Sequence, residues 1–304
     1  MVVATGMIRS AIFCACFLAV LTAAGPARSD PDRSFAFGGL ERDYILHRPA
    51  VSGPNHPIPL VVVLHGGLGS AAQAERHYGW DALADAKGFA VLYPDGVGRT
   101  WNAGGCCGGA LRRGIDDVGF LEALIKETIA KDGIDPKRVF VTGMSNGGVM
   151  AYRLACTGHL PLAAIGPVAA SIAEPCPTSR PVSVMAVHGL DDQNIPFEGG
   201  VGPRGVAHVS WMSVRLAVDL FRAADSCKSP DRVQNGSVTR EWSQCERGRS
   251  VALITVAGAG HQWPGAAGPP PLRARLLALD PPSRALDATA TLWKFFAAVP
   301  PADK

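Results

Sequence analysis

A candidate serine nucleophile lies near the middle of the chain. The run Gly143-Met144-Ser145-Asn146-Gly147 fits the pattern G-x-S-x-G, in which a sharp turn between a strand and a helix exposes a serine hydroxyl. Residues 138–142 before it are β-branched and aromatic, as in a buried strand, and residues 149–155 after it have a helical composition. The two flanking glycines supply room where strand and helix pass closely. The pattern therefore predicts Ser145 as a nucleophile for acyl transfer.

A nucleophilic serine needs a base to take its proton, and the base needs a third group to orient it. An apolar run over residues 181–187 leads to the neighbouring carboxylates Asp191 and Asp192, and a second run over 251–256 leads to a glycine-rich loop that carries His261. Serine, acid and histidine in this chain order follow the order of the α/β-hydrolases. We expect His261 to be the base, and residue chemistry alone leaves both aspartates open as the acid.

The oxyanion of a tetrahedral intermediate needs backbone amides from the residue after the nucleophile and from a loop after an early strand. The strand-like run 60–64 opens into the sequence HGGLG at residues 65–69, where missing Cβ atoms let an amide approach the oxyanion. We assign the amides of Asn146 and Gly67 to this role. The amide on either side of Gly67 stays open as an alternative.

Two other histidines stand at the ends of predicted strands. His65 and His188 each precede a glycine. An imidazole in such a place can form hydrogen bonds with loop carbonyls and hold the turn. We expect structural roles for both.

The elements that must position these residues alternate along the chain. We predict strands near Phe35 and at 44–46, 60–64, 89–93, 138–142, 165–170, 182–188 and 251–257, and helices at 72–87, 116–131, 146–156, 207–224 and 284–297. Such alternation predicts an α/β fold with a mostly parallel sheet covered by helices on both faces. The candidate residues fall at strand ends, where such sheets bind ligands.

Six blocks together resemble the polyhydroxybutyrate depolymerases and feruloyl esterases of carbohydrate esterase family one, in the α/β-hydrolase superfamily. The blocks are Leu64-His65-Gly66-Gly67, residues 101–108 (WNAGGCCG), 116–121 (DDVGFL), 143–148 (GMSNGG), 188–196 (HGLDDQNIP) and 260–265 (GHQWPG). The resemblance covers residues 35 to 297 approximately. It implies an α/β-hydrolase fold and a carboxylic ester as substrate. The mechanism expected of Ser145, His261 and the acid requires no cofactor or metal. The resemblance also favours Asp192 over Asp191 as the acid, by its spacing from His188 and Pro196.

The resemblance places the long loop that begins at Trp101 along the site. We expect Trp101 to stack on the substrate, with packing at the edge of the core as an equal alternative. Trp263 is expected to line the pocket or to support the histidine loop. Asp116 and Asp117 open a predicted helix, and we expect them to cap its free amides.

The first 27 residues read as a secretory signal peptide, with Arg9, an apolar run at 11–21 and small residues at 22–27. The run is short for a membrane span. We therefore expect residues 28–304 to form one catalytic domain that is secreted or periplasmic, with no membrane contact once the signal is removed.

Removal of the signal leaves six cysteines, and an even count in an exported chain indicates disulfides. Fifteen pairings are open. We favour Cys227 with Cys245 and Cys156 with Cys176, each closing a modest loop, which leaves Cys106 and Cys107 as neighbours. No C-x-x-C repeat or nearby histidine favours a metal site.

The net charge of +3 is small, and no basic stripe with interleaved aromatic residues indicates a nucleic-acid partner. We predict a serine esterase that forms an acyl-enzyme on Ser145 and acts on small or oligomeric esters. Feruloyl, acetyl and hydroxyalkanoate esters all stay open as substrates. An acyltransferase with the same three residues, or a binding protein that keeps the fold, are the alternatives.

Overall fold

The computed structural model describes residues 1–2, 33–50, 57–177, 181–268, 272, 274 and 279–302. The predicted signal peptide, apart from its first two residues, lies outside the described residues. Among the described residues, no helix is both long and apolar enough to cross a membrane.

The centre of the molecule is a β-sheet. The strands of the described chain are β1 (Arg33–Phe37), β2 (Leu40–His47), β3 (Ile58–Leu64), β4 (Ala90–Pro94), β5 (Ile134–Met144), β6 (Ala164–Val168), β7 (Ser183–Gly189), β8 (Gly200–Val201), β9 (Ser210–Trp211), β10 (Asp231–Asn235), β11 (Val238–Gln244) and β12 (Ser250–Val256). Strands β8 and β9 form a small separate pair, and the others form one sheet in the order β1-β2-β4-β3-β5-β6-β7-β12-β11-β10. The run from β4 to β12 is parallel, and antiparallel strands flank it on both sides. The carboxyl ends of the parallel strands therefore meet at one edge.

Helices cover both faces of the sheet. The α-helices whose bounds the structure describes are α1 (Ala71–Tyr78), α2 (Trp80–Lys87), α3 (Gly108–Arg112), α4 (Asp117–Lys131), α5 (Asn146–Thr157), α6 (Val214–Ala224) and α7 (Ala288–Ala298). On β3, alternate residues point to opposite faces, so Leu60 belongs to the core cluster that includes residues of α4, α5 and α6, and Val61 to the cluster that includes residues of α1, α2 and α7. Burial on both faces explains why this strand is continuously apolar. The predicted α/β-hydrolase architecture is confirmed.

Some boundaries differ from the sequence prediction. The helix predicted over 72–87 is two helices, because Gly79 adopts a left-handed φ of 74° between them. The helix predicted over 207–224 starts only at Val214, where the Ser213 side chain accepts the Leu216 N–H. The hairpin of β10 and β11 was not predicted, since β10 is exposed along its length and Val233 is its one apolar residue, so it lacks the apolar pattern of a buried strand.

Among the residues that the structure describes, three cysteine pairs are present, and they are the pairs expected from the sequence. Cys156 and Cys176 join the end of α5 to the segment after β6, with their Cα atoms 5.0 Å apart. Cys227 and Cys245 join the segment after α6 to the end of β11, with their Cα atoms 3.8 Å apart. Cys106 pairs with its neighbour Cys107 in the long loop before α4.

Candidate active site

The strand-to-helix turn at Ser145 is where the site begins. Ser145 lies between the last residue of β5 and the first of α5, with φ 54° and ψ −125°, a conformation that residues other than glycine rarely adopt. Its N–H donates to the Val168 carbonyl on the neighbouring strand at 2.9 Å. A Cβ at Gly147 would collide with the Leu64 carbonyl oxygen, so the close passage of α5 over β3 requires glycine there.

The structure brings Ser145, His261 and Asp192 together from three separate strand ends. His261 Nε2 lies 2.7 Å from Ser145 Oγ, and His261 Nδ1 lies 2.7 Å from Asp192 Oδ2. Both contacts have hydrogen-bond length. In this arrangement Nδ1–H donates to the carboxylate and Nε2 accepts from the serine hydroxyl, which is the tautomer a general base needs.

Asp192 is held in the ionised state that this arrangement requires. Only 3% of it is exposed. Its second oxygen, Oδ1, accepts the N–H groups of Asn194 at 2.8 Å and Ile195 at 2.9 Å. Burial opposes ionisation, but the hydrogen bond and charge of His261, with the added hydrogen bond from Ile195, lower the pKa of Asp192 below its ordinary value of 3.8. The neighbouring Asp191 is exposed.

His65 and His188 hold loops around the site. His65 Nδ1 lies 2.8 Å from the Gly66 carbonyl, and its Nε2 accepts the Gly96 N–H at 2.9 Å. His188 Nε2 lies 2.9 Å from the Ile195 carbonyl, beyond the carboxylate of Asp192. Burial lowers the pKa of both imidazoles, which favours their neutral forms near pH 7. These contacts are the structural ones expected from the sequence.

The loop after β3 brings its glycines against the turn at Ser145. An added Cβ at Gly67 would lie 3.8 Å from the Asn146 Cβ, and one at Gly66 would lie 3.6 Å from the Ser145 Cβ. The Leu68 N–H already donates to the Arg99 carbonyl at 2.8 Å. Leu68 is therefore removed as an alternative oxyanion donor, and the amides of Gly67 and Gly66 stay candidates for this role beside that of Asn146.

Arg99 was missed by the sequence analysis. Its guanidinium donates to the Gly69 carbonyl through Nε at 3.1 Å and also to the Leu68 carbonyl. Leu68 and Arg99 both adopt left-handed φ values, 64° and 61°. The pair holds the glycine loop in place, and an arginine 31 residues away from its partner has no spacing by which the sequence could have shown it.

Of the two roles expected equally for Trp101, stacking on the substrate is wrong, and packing in the core is the one observed. Its side chain is fully buried, and Nε1 donates to the His65 carbonyl at 2.9 Å. The Asn146 side chain holds the Trp101 backbone from both sides, since Oδ1 accepts the Trp101 N–H at 2.7 Å and Nδ2 donates to its carbonyl at 3.0 Å. Trp101 thus fixes the long loop to the turn that carries Ser145.

Trp263 also lies in the core rather than on the pocket surface. Its ring stacks on Tyr78 with the centroids 4.4 Å apart, and Nε1 donates to Thr289 Oγ1 at 3.0 Å. Only 2% of the residue is exposed. Of the two roles expected for Trp263, the structure favours support of the histidine loop, through its contacts with α1 and α7.

The two aspartates at the start of α4 have different roles. Asp116 caps the helix as predicted, because its Oδ1 accepts the Gly119 N–H at 2.8 Å. Asp117 is not a cap: it is buried, accepts the Asn102 N–H at 2.7 Å and pairs with Arg42 at 2.7 Å. The partner is 75 residues away, so the sequence alone could not reveal this ion pair.

Replacement of Asn146 by alanine is expected to lower the free energy of unfolding by about 2 kcal/mol or more, because it leaves the buried N–H and C=O of Trp101 without their partners. The backbone N–H of residue 146 is kept. Urea denaturation measures the change, with the exposed Asn235→Ala variant as the control. A change within about 0.5 kcal/mol would contradict the anchoring role of this side chain.

Comparisons with known proteins agree with the geometry of the site. Residues 43–175 match the sequence profile of the family described as esterase PHB depolymerase. The chain is 33% identical over 264 residues to the protein named "Probable feruloyl esterase C" of Aspergillus clavatus, which covers 84% of each chain. It is 26% identical over 232 residues to feruloyl esterase C of Emericella nidulans, covering 72% of this chain and 76% of that one.

A solved structure shares the fold. The acetyl xylan esterase of Aspergillus awamori superposes with a TM-score of 0.57 at 15% identity, over 84% of this chain and 94% of that one. At this identity the likeness concerns the arrangement of the sheet and helices.

Proposed function

The chain belongs to the esterase family of the polyhydroxybutyrate depolymerases and feruloyl esterases, and on this premise we propose that it is a secreted serine esterase whose catalytic residues are Ser145, His261 and Asp192. As a member of this family the protein is a carboxylic ester hydrolase. The observation that carries the proposal is the pair of 2.7 Å contacts that His261 makes with Ser145 Oγ and Asp192 Oδ2.

The first half of the proposed reaction forms an acyl-enzyme. His261 Nε2 takes the Ser145 hydroxyl proton as Oγ attacks the ester carbonyl, and the carbonyl π electrons move to oxygen as the oxyanion. The amides of Asn146 and Gly67 donate to this oxyanion. When the intermediate collapses, the bond to the alcohol oxygen breaks and His261 returns its proton to that oxygen.

The second half releases the acid. His261 takes a proton from water, the hydroxide adds to the acyl carbon, and collapse of the second intermediate returns the proton to Ser145 Oγ. Asp192 stays ionised throughout and stabilises the imidazolium that forms twice in each cycle. Its lowered pKa keeps this charge available across the neutral range, and the stability that it contributes is lost only as the pH falls below 3.8.

For the substrate, we propose feruloyl or acetyl esters of the kind named in the relatives, rather than a crystalline polyester. Feruloyl esterases C match this chain over most of their own length. For the location, the three cysteine pairs of the described chain support export, since disulfides persist in oxidising compartments.

The proposal is tested with the purified mature protein on p-nitrophenyl acetate, methyl ferulate, acetylated xylan and hydroxybutyrate trimer. We expect hydrolysis of the nitrophenyl ester and of methyl ferulate or acetylated xylan, with transient release of one equivalent of alcohol before the steady state where deacylation is slow. Turnover of the hydroxybutyrate trimer alone would move the substrate class to hydroxyalkanoates. Folded protein that releases no alcohol from any of the four would contradict the proposed function.

A further inference from the structure

A carboxylate that the mechanism does not use lies against the backbone of the histidine loop. The His261 N–H donates to Asp280 Oδ2 at 2.7 Å. A Cβ on Gly260 would fall on the same carboxylate, so the loop comes this close to Asp280 only because residue 260 has no side chain. Asp280 therefore contacts the main chain of the proposed base and not its ring.

The position of this amide matters for the chemistry of the ring. His261 Nε2 and Nδ1 must both keep contacts of 2.7 Å, to two groups that come from other strands. The loop between β12 and His261 includes Gly258, with a left-handed φ of 74°, and Gly260. Glycines restrict a loop weakly, and a displacement of about 1 Å in a catalytic group lowers a rate by roughly 10²-fold. A charge-assisted hydrogen bond to the His261 amide supplies a strong restraint.

The other oxygen of Asp280 connects the histidine loop to the loop of the proposed acid. Oδ1 accepts from Arg204 Nη1 at 2.8 Å. The Arg204 N–H donates to the Gln193 carbonyl at 3.0 Å, and Gln193 directly follows Asp192. Asp280 thus closes a second path between His261 and Asp192, in addition to the direct contact of their side chains.

The same segment contacts the histidine loop again. The Ser283 N–H donates to Gln262 Oε1 at 3.1 Å, and the Gly265 N–H donates to the Ser283 carbonyl at 2.9 Å. The segment from 280 to 283 therefore contacts the histidine loop at residues 261, 262 and 265. Asp280 makes the contact with His261, the proposed base.

We propose that Asp280 is a positioning residue of the esterase: its carboxylate, fixed by Arg204, holds the main chain of His261 so that the imidazole meets Ser145 and Asp192 together. This inference rests on the proposed function, because the roles of His261 and Ser145 come from it. Asp280 itself touches neither the substrate nor the reacting atoms.

The test compares Asp280→Ala, Asp280→Asn and Arg204→Ala with the wild type on p-nitrophenyl acetate. Loss of the acceptor in Asp280→Ala is expected to lower kcat by about 10- to 100-fold while KM changes by less than about threefold. Asp280→Asn keeps a carbonyl oxygen for the His261 N–H, and Arg204→Ala keeps the carboxylate, so both are expected to retain several-fold more kcat than Asp280→Ala. Asp231→Ala, at an exposed position on β10, is the matched control with unchanged kcat.

A second readout does not depend on turnover. The His261 Nδ1–H proton, bonded to Asp192, is followed by proton NMR as a low-field signal that is absent from His261→Ala. We expect it to broaden or shift in Asp280→Ala and to remain in Asp231→Ala. If Asp280→Ala does not fold, Arg204→Ala is the test variant. Its kcat is then expected to lie below that of the wild type, and its Nδ1–H signal to differ from the wild-type signal.

The outcomes separate the two proposals. Wild-type kcat and an unchanged signal in folded Asp280→Ala would overturn the positioning role, while serine-dependent turnover by the wild type would still support the esterase mechanism. Absence of turnover by the folded wild type would contradict the proposed function, and the NMR signal would still show whether Asp280 positions His261.

Discussion

Replacement of Ser145 by alanine is expected to lower kcat on p-nitrophenyl acetate by at least about 10⁴-fold, because Oγ is the atom 2.7 Å from His261 Nε2 and alanine provides no nucleophile there. The residual rate comes from the oxyanion amides and from substrate binding. The unusual backbone conformation at this position is imposed by β5 and α5, and alanine meets it at the same cost as serine. The free energy of unfolding should therefore change little.

The measurement is steady-state turnover, with mass spectrometry after exposure to an organophosphate that labels activated serines. Wild type should gain one adduct on Ser145, and the alanine variant none. Ser237→Ala, at an exposed turn, is the matched control and should keep both the activity and the adduct. Turnover by Ser145→Ala within tenfold of the wild type would show that another group is the nucleophile.

The second large effect is expected for Asp192→Asn, with a loss in kcat of about 10³- to 10⁴-fold. Asn194 and Ile195 direct their N–H groups at Oδ1, so the asparagine oxygen is held there and its NH₂ group must face His261. The ring then accepts at Nδ1 and carries its proton on Nε2. That tautomer cannot take the proton of Ser145.

Asp191→Asn is a closely matched control, because it makes the same chemical change one residue away, at an exposed position. We expect its kcat to stay within about twofold of the wild type. A large loss of kcat in Asp191→Asn would show that the assignment of the catalytic acid to Asp192 is wrong.

The pH dependence of unfolding adds an independent check. Because the pKa of Asp192 in the folded state is lowered, its ionised carboxylate stabilises the fold fully above the unfolded-state pKa of 3.8. This stabilisation is lost as the pH falls through the folded-state pKa.

Local patterns were sufficient for the buried strands of the sheet and for two of the three candidate catalytic residues. The apolar runs that became β3, β5, β7 and β12 are visible because strands buried on both faces need apolar side chains throughout. Ser145 is visible because its sharp turn requires small neighbours at fixed spacing. His261 is visible from the chain order and from the glycines beside it. Each of these signals lies within a few residues.

Pairwise choices between nearby residues were harder. Residue chemistry could not separate Asp191 from Asp192, and only a family spacing favoured the second. In the structure the difference is one of burial and contacts, because Asp191 is exposed whereas Asp192 is buried and contacts His261. The tryptophans show the same effect, since a large ring beside a site serves equally well in a pocket or in the core, and packing placed Trp101 and Trp263 in the core.

The sequence by itself determined the sheet class, the turn that presents Ser145 and the histidine loop, because each depends on the type and spacing of neighbouring residues. The tertiary structure alone decided that His261 meets Ser145 across 116 positions and Asp192 across 69, and that Arg42, Arg99 and Asp280 hold the surrounding loops. These contacts depend on the order of strands in the sheet, which brings distant carboxyl ends to one edge. No short pattern carries that order, since it results from the packing of the whole core.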